Sequence, residues 1–327
     1  MENIDTDLTI GSTFQFNWVG LEVGQHYVER VLGEGSFSWV YEGRHKDTGD
    51  LVAFKVAKPD AMVGKINSMS TLVFPTRALM AITGAFGDAP VDTASLLQQQ
   101  YKTLNAVPHA NLLRTAALTD NGVSTYYKCE FVAGENLRGI INSGSAGIPH
   151  LRAIANAMAS LTATKQFVHC DLKPENILFG SNGLKLIDPG FIGNLTADAP
   201  RIYVTTPGYY PFLTANDLFA FGVICWEVLV GQHPLDCTFS SDMLTDEIKV
   251  APHMVEQVRQ LEMGYNYFVS PLLNLKRPSV LNPNVPVEMD EFLSKTLGVK
   301  FDENGCLAIA TPFSGFAELA QALASFN

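Results

Sequence analysis

With 327 residues, 47% of them apolar and 17% charged, the chain has ample apolar surface for a large core, which excludes a disordered protein and favours a two-part domain. A formal net charge of -11 excludes a non-specific nucleic-acid binder, whose affinity rests on clustered Lys and Arg. Five cysteines (Cys129, Cys170, Cys225, Cys237, Cys306) are scattered without a Cys-x-x-Cys pair, which excludes a disulfide framework or zinc knuckle and points to a reducing, cytoplasmic setting.

Residues 1–23 are polar with scattered aromatics and no sustained period, and they lack the basic and apolar regions of a secretory signal, so they are expected to form an N-terminal extension. Strand-like runs follow at Tyr27–Leu32, Ser38–Gly43 and Leu51–Val56, the last two joined by a Lys46-Asp47-Thr48-Gly49-Asp50 hairpin signal. Residues 60–91 mix apolar side chains with Gly and Pro breakers and read as an insertion. Asp92 or Thr93 then caps a helix whose apolar stripe Leu97, Tyr101, Leu104 also carries Gln100 on its inward face.

Beyond Ala133-Gly134 the pattern becomes helical. Leu151, Ile154, Met158 and Leu161 follow a helical stripe, and Asp217–Gly231 is apolar all round. The Leu218–Gly231 stretch is too short for a bilayer and contains Glu227, so it is expected to be a buried helix and no membrane span is expected. The expected organisation is α+β: a small β-rich lobe over 24–132 holding the insertion, a hinge near 130–134, and a larger, mainly α-helical lobe over 133–327.

Three motifs carry chemistry. Gly33-Glu34-Gly35-Ser36-Phe37-Ser38 lies in a strand-turn-strand setting where backbone N–H groups can approach phosphates, although an ordinary glycine hairpin accounts for it equally. Lys55 interrupts the apolar strand Val52-Ala53-Phe54-Lys55-Val56; it either snorkels to the surface or aims an ammonium at cradled phosphates. The third is His169-Cys170-Asp171-Leu172-Lys173-Pro174-Glu175-Asn176, followed by Asp188-Pro189-Gly190. It supplies a carboxylate for an attacking hydroxyl, a cation for the transferring group and oxygen ligands for Mg²⁺, the parts that phosphoryl transfer needs. Turn-forming Asp and Asn alone do not explain four such groups in order.

On these motifs the chain resembles a eukaryotic-type, bacterial-like serine/threonine protein kinase over about residues 25–321. The resemblance implies a bilobal kinase-like fold that transfers the γ-phosphoryl group of ATP to Ser or Thr hydroxyls of a protein substrate. By the same likeness, Gly33, Gly35 and Ser38 cover the phosphates and Lys55 pairs with them. Val40, Ala53 and Leu178 flank adenine, while the Glu130 and Val132 backbone binds its edge. Asp171 is the implied catalytic base, Lys173 contacts the γ-phosphate, and Asn176 with Asp188 ligates Mg²⁺. Thr206 matches the position that bonds Asp171 and Lys173, and Asp217 resembles the buried anchor of the following helix.

Several positions depart from the pattern. No Glu occurs between Lys55 and Glu130, and Gln100 replaces the helix carboxylate that usually pairs with the strand Lys. Cys170 replaces the Arg before the catalytic Asp, which makes the chain non-RD and argues against loop phosphorylation as its switch. Pro189 replaces the Phe after the metal-binding Asp. Ala-Pro-Glu has become Tyr210-Pro211-Phe212, and its usual Arg partner is also lost, with Asn304 near that place. The alternative reading is a pseudokinase, a nucleotide-binding signalling or scaffold protein with weak turnover. A small-molecule kinase shares the catalytic Asp and Asn, but Lys173 and Thr206-Pro207-Gly208 count against it.

Overall fold

Alternation along the first strands builds a two-faced sheet. A computed structural model describes residues 17–35, 37–59, 92–120, 124–163, 167–194, 201–204, 206, 209–210, 216–234, 276–301, 307–309 and 312–326. They fall into two compact units: 17–59, 92–108 and Leu113–Val132 in the first, His109–Leu112 and the described residues from Ala133 onward in the second.

In the first unit, β1 (Glu22–Val23), β2 (His26–Glu34), β3 (Ser38–His45), β4 (Leu51–Ala57), β5 (Thr115–Asp120) and β6 (Thr125–Glu130) form one antiparallel sheet in the order β1-β2-β3-β4-β6-β5. Successive side chains of a strand point to opposite faces. Trp39, Tyr41, Phe54 and Val56 thus join Trp18, Val23 and Val28 in one core. The boundary drawn after residue 23 therefore falls inside the sheet: Trp18 is buried, stacks on Tyr41 and meets Tyr126 edge-on. A single Trp and a two-residue strand have no period for a sequence reading to detect. The other face carries Val40 opposite Lys55 and Lys55 opposite Tyr127, with Ala53 two residues along.

Helix α1 (Thr93–Ala106) packs against β4, β5 and β6. Asp92 is its cap, accepting from Ser95 N at 2.9 Å, and Leu96, Leu97, Gln100 and Leu104 are its buried stripe. Tyr101 is only partly buried but its ring meets that of Tyr127. The expected insertion over 60–91 lies outside the described residues.

In the second unit, α2 (Leu137–Asn142) is capped by Asn136 and α3 (Ile148–Ala163) buries Leu151, Ile154, Met158 and Leu161, the stripe expected of it. A three-stranded sheet of β7 (Gly134–Asn136), β8 (Ile177–Gly180) and β9 (Gly183–Leu186) follows, with a 3-10 turn at Pro174–Asn176 leading into β8. Helix α4 (Asp217–Val230) is buried along most of its length, capped by Asn216 and ended by Gly231 at φ 84°. Helix α6 (Glu288–Leu297) packs on α4, after the short α5 (Pro278–Leu281), and α7 (Phe316–Leu323) packs on α3. No helix among the described residues is long and apolar enough to cross a membrane.

Candidate active site

In the first unit, one face of the sheet bears Lys55. Ser38, Val40, Ala53 and Lys55 share it by register, with Gly33 opposite Val40. Gly35 N donates to Ser38 O at 2.8 Å and so closes the glycine turn. Lys55 is 4% exposed, which excludes the snorkelling alternative, and its Nζ lies 5.8 Å from the centre of the Phe37 ring. Gln100 is buried on the helix that packs over this face, the side of α1 assigned to it from spacing. Lys58 closes the other side of the turn: it is buried, bonds Glu34 at 2.6 Å and lies over the Trp39 ring. Glu130 N donates to Arg114 O, and Val132 is partly buried at the end of this unit.

In the second unit, Thr206, Lys173 and Asn176 gather around Asp171. Thr206 Oγ1 donates to Asp171 Oδ1 at 2.6 Å, and Lys173 Nζ donates to the same threonine oxygen at 2.8 Å. Lys173 Nζ also stands 3.0 Å from Asp171 Oδ2. Asn176 Nδ2 donates to Asp171 O at 2.8 Å, Asp171 Oδ2 at 3.0 Å and Asp188 O at 3.3 Å. One amide nitrogen thus pins Asp171 and meets the backbone of Asp188. Leu178 lies in β8, the strand that follows the turn, opposite Lys185 and Asn136.

The backbone around this cluster is held tightly. Cys170 and Asp188 have φ of 62° and 52°, a region that costs most side chains energy and that Asp tolerates better than others. Such conformations persist where the surroundings over-determine them. Here His169 N and Cys170 N donate to the two oxygens of buried Asp217, at 2.6 and 3.0 Å, and Gly190 N donates to His169 O at 2.7 Å. Burial pushes the Asp217 carboxyl up, while His169, Tyr210 and the two amides pull it back. Burial pushes the Cys170 thiol up to about 12, leaving a neutral group where a phosphate-binding cation was absent from the sequence.

The Mg²⁺ expected from the sequence meets a suitable donor set. With its nitrogen committed to three oxygens, Asn176 is fixed in orientation, and its amide oxygen and the Asp188 carboxylate are hard oxygen donors on touching residues. Asn176 and Asp188 would hold the ion.

Sequence reasoning missed a second network beside the first. Arg138 donates to Glu175 Oε1 at 2.8 Å, to Glu227 Oε2 and to Tyr209 Oη at 2.7 Å, and Tyr209 donates to Glu227 Oε1. Glu227 is 2% exposed. A carboxylate inside an otherwise apolar helix was the available signal, since a buried charge requires a partner. Burial lowers the Arg138 affinity for its proton, but the hydrogen bond to Glu227 and the neighbouring groups outweigh it and hold the cation charged. Pro211, Phe212 and Asn304, noted as departures, lie outside the described residues.

The profile of the protein kinase domain matches residues 90–300, and the chain belongs to that family. It is 26% identical over 251 residues to the serine/threonine-protein kinase pkn2 of Myxococcus xanthus, a match covering 70% of this chain and 27% of that protein. Over 226 residues it is 27% identical to the serine/threonine-protein kinase TIO of Arabidopsis thaliana, covering 65% of this chain and 15% of the relative. It is 28% identical over 251 residues to human serine/threonine-protein kinase D2, covering 71% and 25%. The chain therefore matches about a quarter or less of the length of these relatives. The fold is similar to the kinase domain of Mycobacterium tuberculosis PknI, solved as a point mutant, with TM-score 0.52, 16% identity and 93% and 96% of the two chains covered. It is also similar to the apo form of PpkA-294, with TM-score 0.56, 14% identity and 93% and 98% covered.

Proposed function

We propose that the chain is an ATP- and Mg²⁺-dependent serine/threonine protein kinase of the non-RD type, acting in the cytoplasm, with Asp171 as catalytic base. The observation that carries this reading is the bonding of Asp171 to Thr206, Lys173 and Asn176. It presents one carboxylate in a fixed orientation, flanked by a cation, as hydroxyl phosphorylation requires. Gly33, Gly35 and Ser38 cover the phosphates, Lys55 binds them, and Val40, Ala53, Leu178, Glu130 and Val132 hold the adenine. Asn176 and Asp188 would hold Mg²⁺, which when bound would supply charge neutralisation at the phosphates.

Asp171 orients the Ser or Thr hydroxyl of the acceptor and takes its proton at a carboxylate oxygen. The hydroxyl oxygen bonds to the γ-phosphorus as the bond to the β–γ bridging oxygen breaks, and ADP leaves. Lys173 stabilises the charge on the moving phosphoryl oxygens. Thr206 keeps Asp171 and Lys173 in register, and its place beside the base suits a protein acceptor. Cys129, Cys170 and Cys225 are buried thiols not joined in a disulfide, in keeping with a reducing compartment.

Incubating the purified chain with γ-labelled ATP, Mg²⁺ and a mixed protein acceptor, then hydrolysing the product, tests the class. Phosphoserine or phosphothreonine is expected. Nucleotide binding with no labelled acceptor would instead support the pseudokinase reading, which Gln100, Cys170 and Pro189 favour.

A further inference from the structure

Two consecutive tyrosines that the kinase reading leaves without a role are both buried, and each gives its hydroxyl to a carboxylate of α4. Tyr210 donates to Asp217 Oδ1 at 2.6 Å, at the first residue of that helix, and Tyr209 donates to Glu227 in its last turn. Each phenol oxygen also accepts: Tyr210 from Leu172 N at 2.7 Å, Tyr209 from Arg138 at 2.7 Å. Both phenols are thus used as donor and as acceptor, which fixes each ring at both ends.

Their backbones carry this rigidity to the base. Tyr209 N and Tyr210 N both donate to Thr206 O, at 2.9 and 3.0 Å, and Thr206 Oγ1 donates to Asp171 Oδ1. A second route runs from Asp217 through the Tyr210 hydroxyl to the amide of Leu172, the residue between Asp171 and Lys173. Catalytic side chains need to be held within about 0.5 Å of their working geometry, and a short threonine cannot supply that alone.

We infer that Tyr209 and Tyr210 are positioning residues for Asp171, clamping Thr206 and the Leu172 amide onto the two carboxylates of α4. The inference rests on the kinase reading. Tyr210 is the more important of the two because its hydroxyl touches the catalytic loop directly. Tyr209 is backed by Arg138, which still neutralises Glu227 when the phenol is removed.

The test uses the full chain with Tyr210→Phe and Tyr209→Phe, each of which keeps the ring and deletes the hydroxyl. Turnover per folded molecule, affinity for an ATP analogue and thermal melting are measured for both, beside wild type and Asp171→Asn. Tyr210→Phe is expected to lower kcat about tenfold, with nucleotide affinity changed by less than about twofold. Tyr209→Phe should lower kcat by a smaller factor. Amide hydrogen exchange should quicken at Leu172 in Tyr210→Phe and stay the same at Phe219 in α4. A kcat for folded Tyr210→Phe equal to wild type overturns the inference, as does unchanged exchange at Leu172. So does a parallel fall of kcat and nucleotide affinity that tracks loss of fold. If wild type transfers no more phosphate than Asp171→Asn, the kinase reading itself fails and takes the inference with it. If wild type is active and Tyr210→Phe matches it, only the positioning role fails.

Discussion

Asp188 holds a left-handed backbone directly before Pro189, and the proline ring limits the conformations open to the residue that precedes it. Its backbone carbonyl accepts from Asn176, and a proline follows it. Asp188→Ala should abolish Mg²⁺-dependent transfer and leave the fold intact, at a cost of about 1 kcal/mol because alanine tolerates this left-handed backbone less well than Asp. Undiminished transfer in that variant would remove Asp188 from the metal site.

Gln100 is buried on the helix that packs over the face bearing Lys55, at the place where the family resemblance puts a carboxylate. A carboxylate there would place a full negative charge near the Lys55 ammonium, an attraction on the order of 1 kcal/mol beyond what a neutral amide supplies. Gln100→Glu should therefore raise kcat/KM for ATP about fivefold, and Lys55→Ala should lower it far more. Steady-state kinetics on the two variants checks this, and a strongly impaired Gln100→Glu would mean that another group positions Lys55. His169 titrates in the opposite sense to a stabilising cation. Burial lowers its pKa, its Nδ1 accepts from Asp171 N, and its Nε2 faces Ile187 O, so the folded state holds a neutral ring. The unfolded chain takes up a proton near pH 6.5, the folded one only lower, so stability is full above about 6.5 and is lost as pH falls through that window. The difference in melting temperature between about pH 7.5 and 5.5 should shrink in His169→Asn.

Among the elements, α2, α4 and the turn at Pro174–Asn176 are joined by Arg138. Removing one end of a buried pair strands a charge, whereas removing both does not. Arg138→Met should destabilise the chain by about 3 kcal/mol, reduced somewhat because the Arg138 side chain is 30% exposed, and Arg138→Met with Glu227→Leu should recover part of the loss. Denaturant unfolding of the single and double variants measures it; a double variant no better than the single would show that the pair is not the stabilising feature. At Gly134 a Cβ would lie 2.2 Å from Phe179 O, a backbone atom of the paired strand β8. Gly134→Ala should cost about 1–3 kcal/mol in the same unfolding experiment.

Across the whole molecule, what the sequence made legible were periodic elements and short local motifs. The strands near 27–56, the helix over 93–106 and the order Asp171, Lys173, Asn176, Asp188 all carry their signal within a few residues. Contacts made between distant residues were not legible. Trp18 enters the sheet core through Tyr41 and Tyr126, and Arg138 meets Glu227 and Tyr209 from far along the chain. Neither has a period or a motif, and Glu227 in α4 served only to argue against a membrane span. Tyr210 was noted only as the start of the segment that stands in place of Ala-Pro-Glu, and Tyr209 was given no role, because the partners of both lie at Asp217 and Glu227 and only folding brings them there.

The central claim is that Asp171 accepts a proton from a protein hydroxyl during transfer from ATP. Its most direct test is transfer of label from γ-labelled ATP to a protein acceptor by wild type and Asp171→Asn, at equal folded concentration and saturating Mg²⁺. The account predicts phosphorylated Ser or Thr with wild type and at least about a hundredfold less with Asp171→Asn, whose amide cannot take the proton. Equal incorporation by the two proteins, or none by either while both bind ATP, would contradict it.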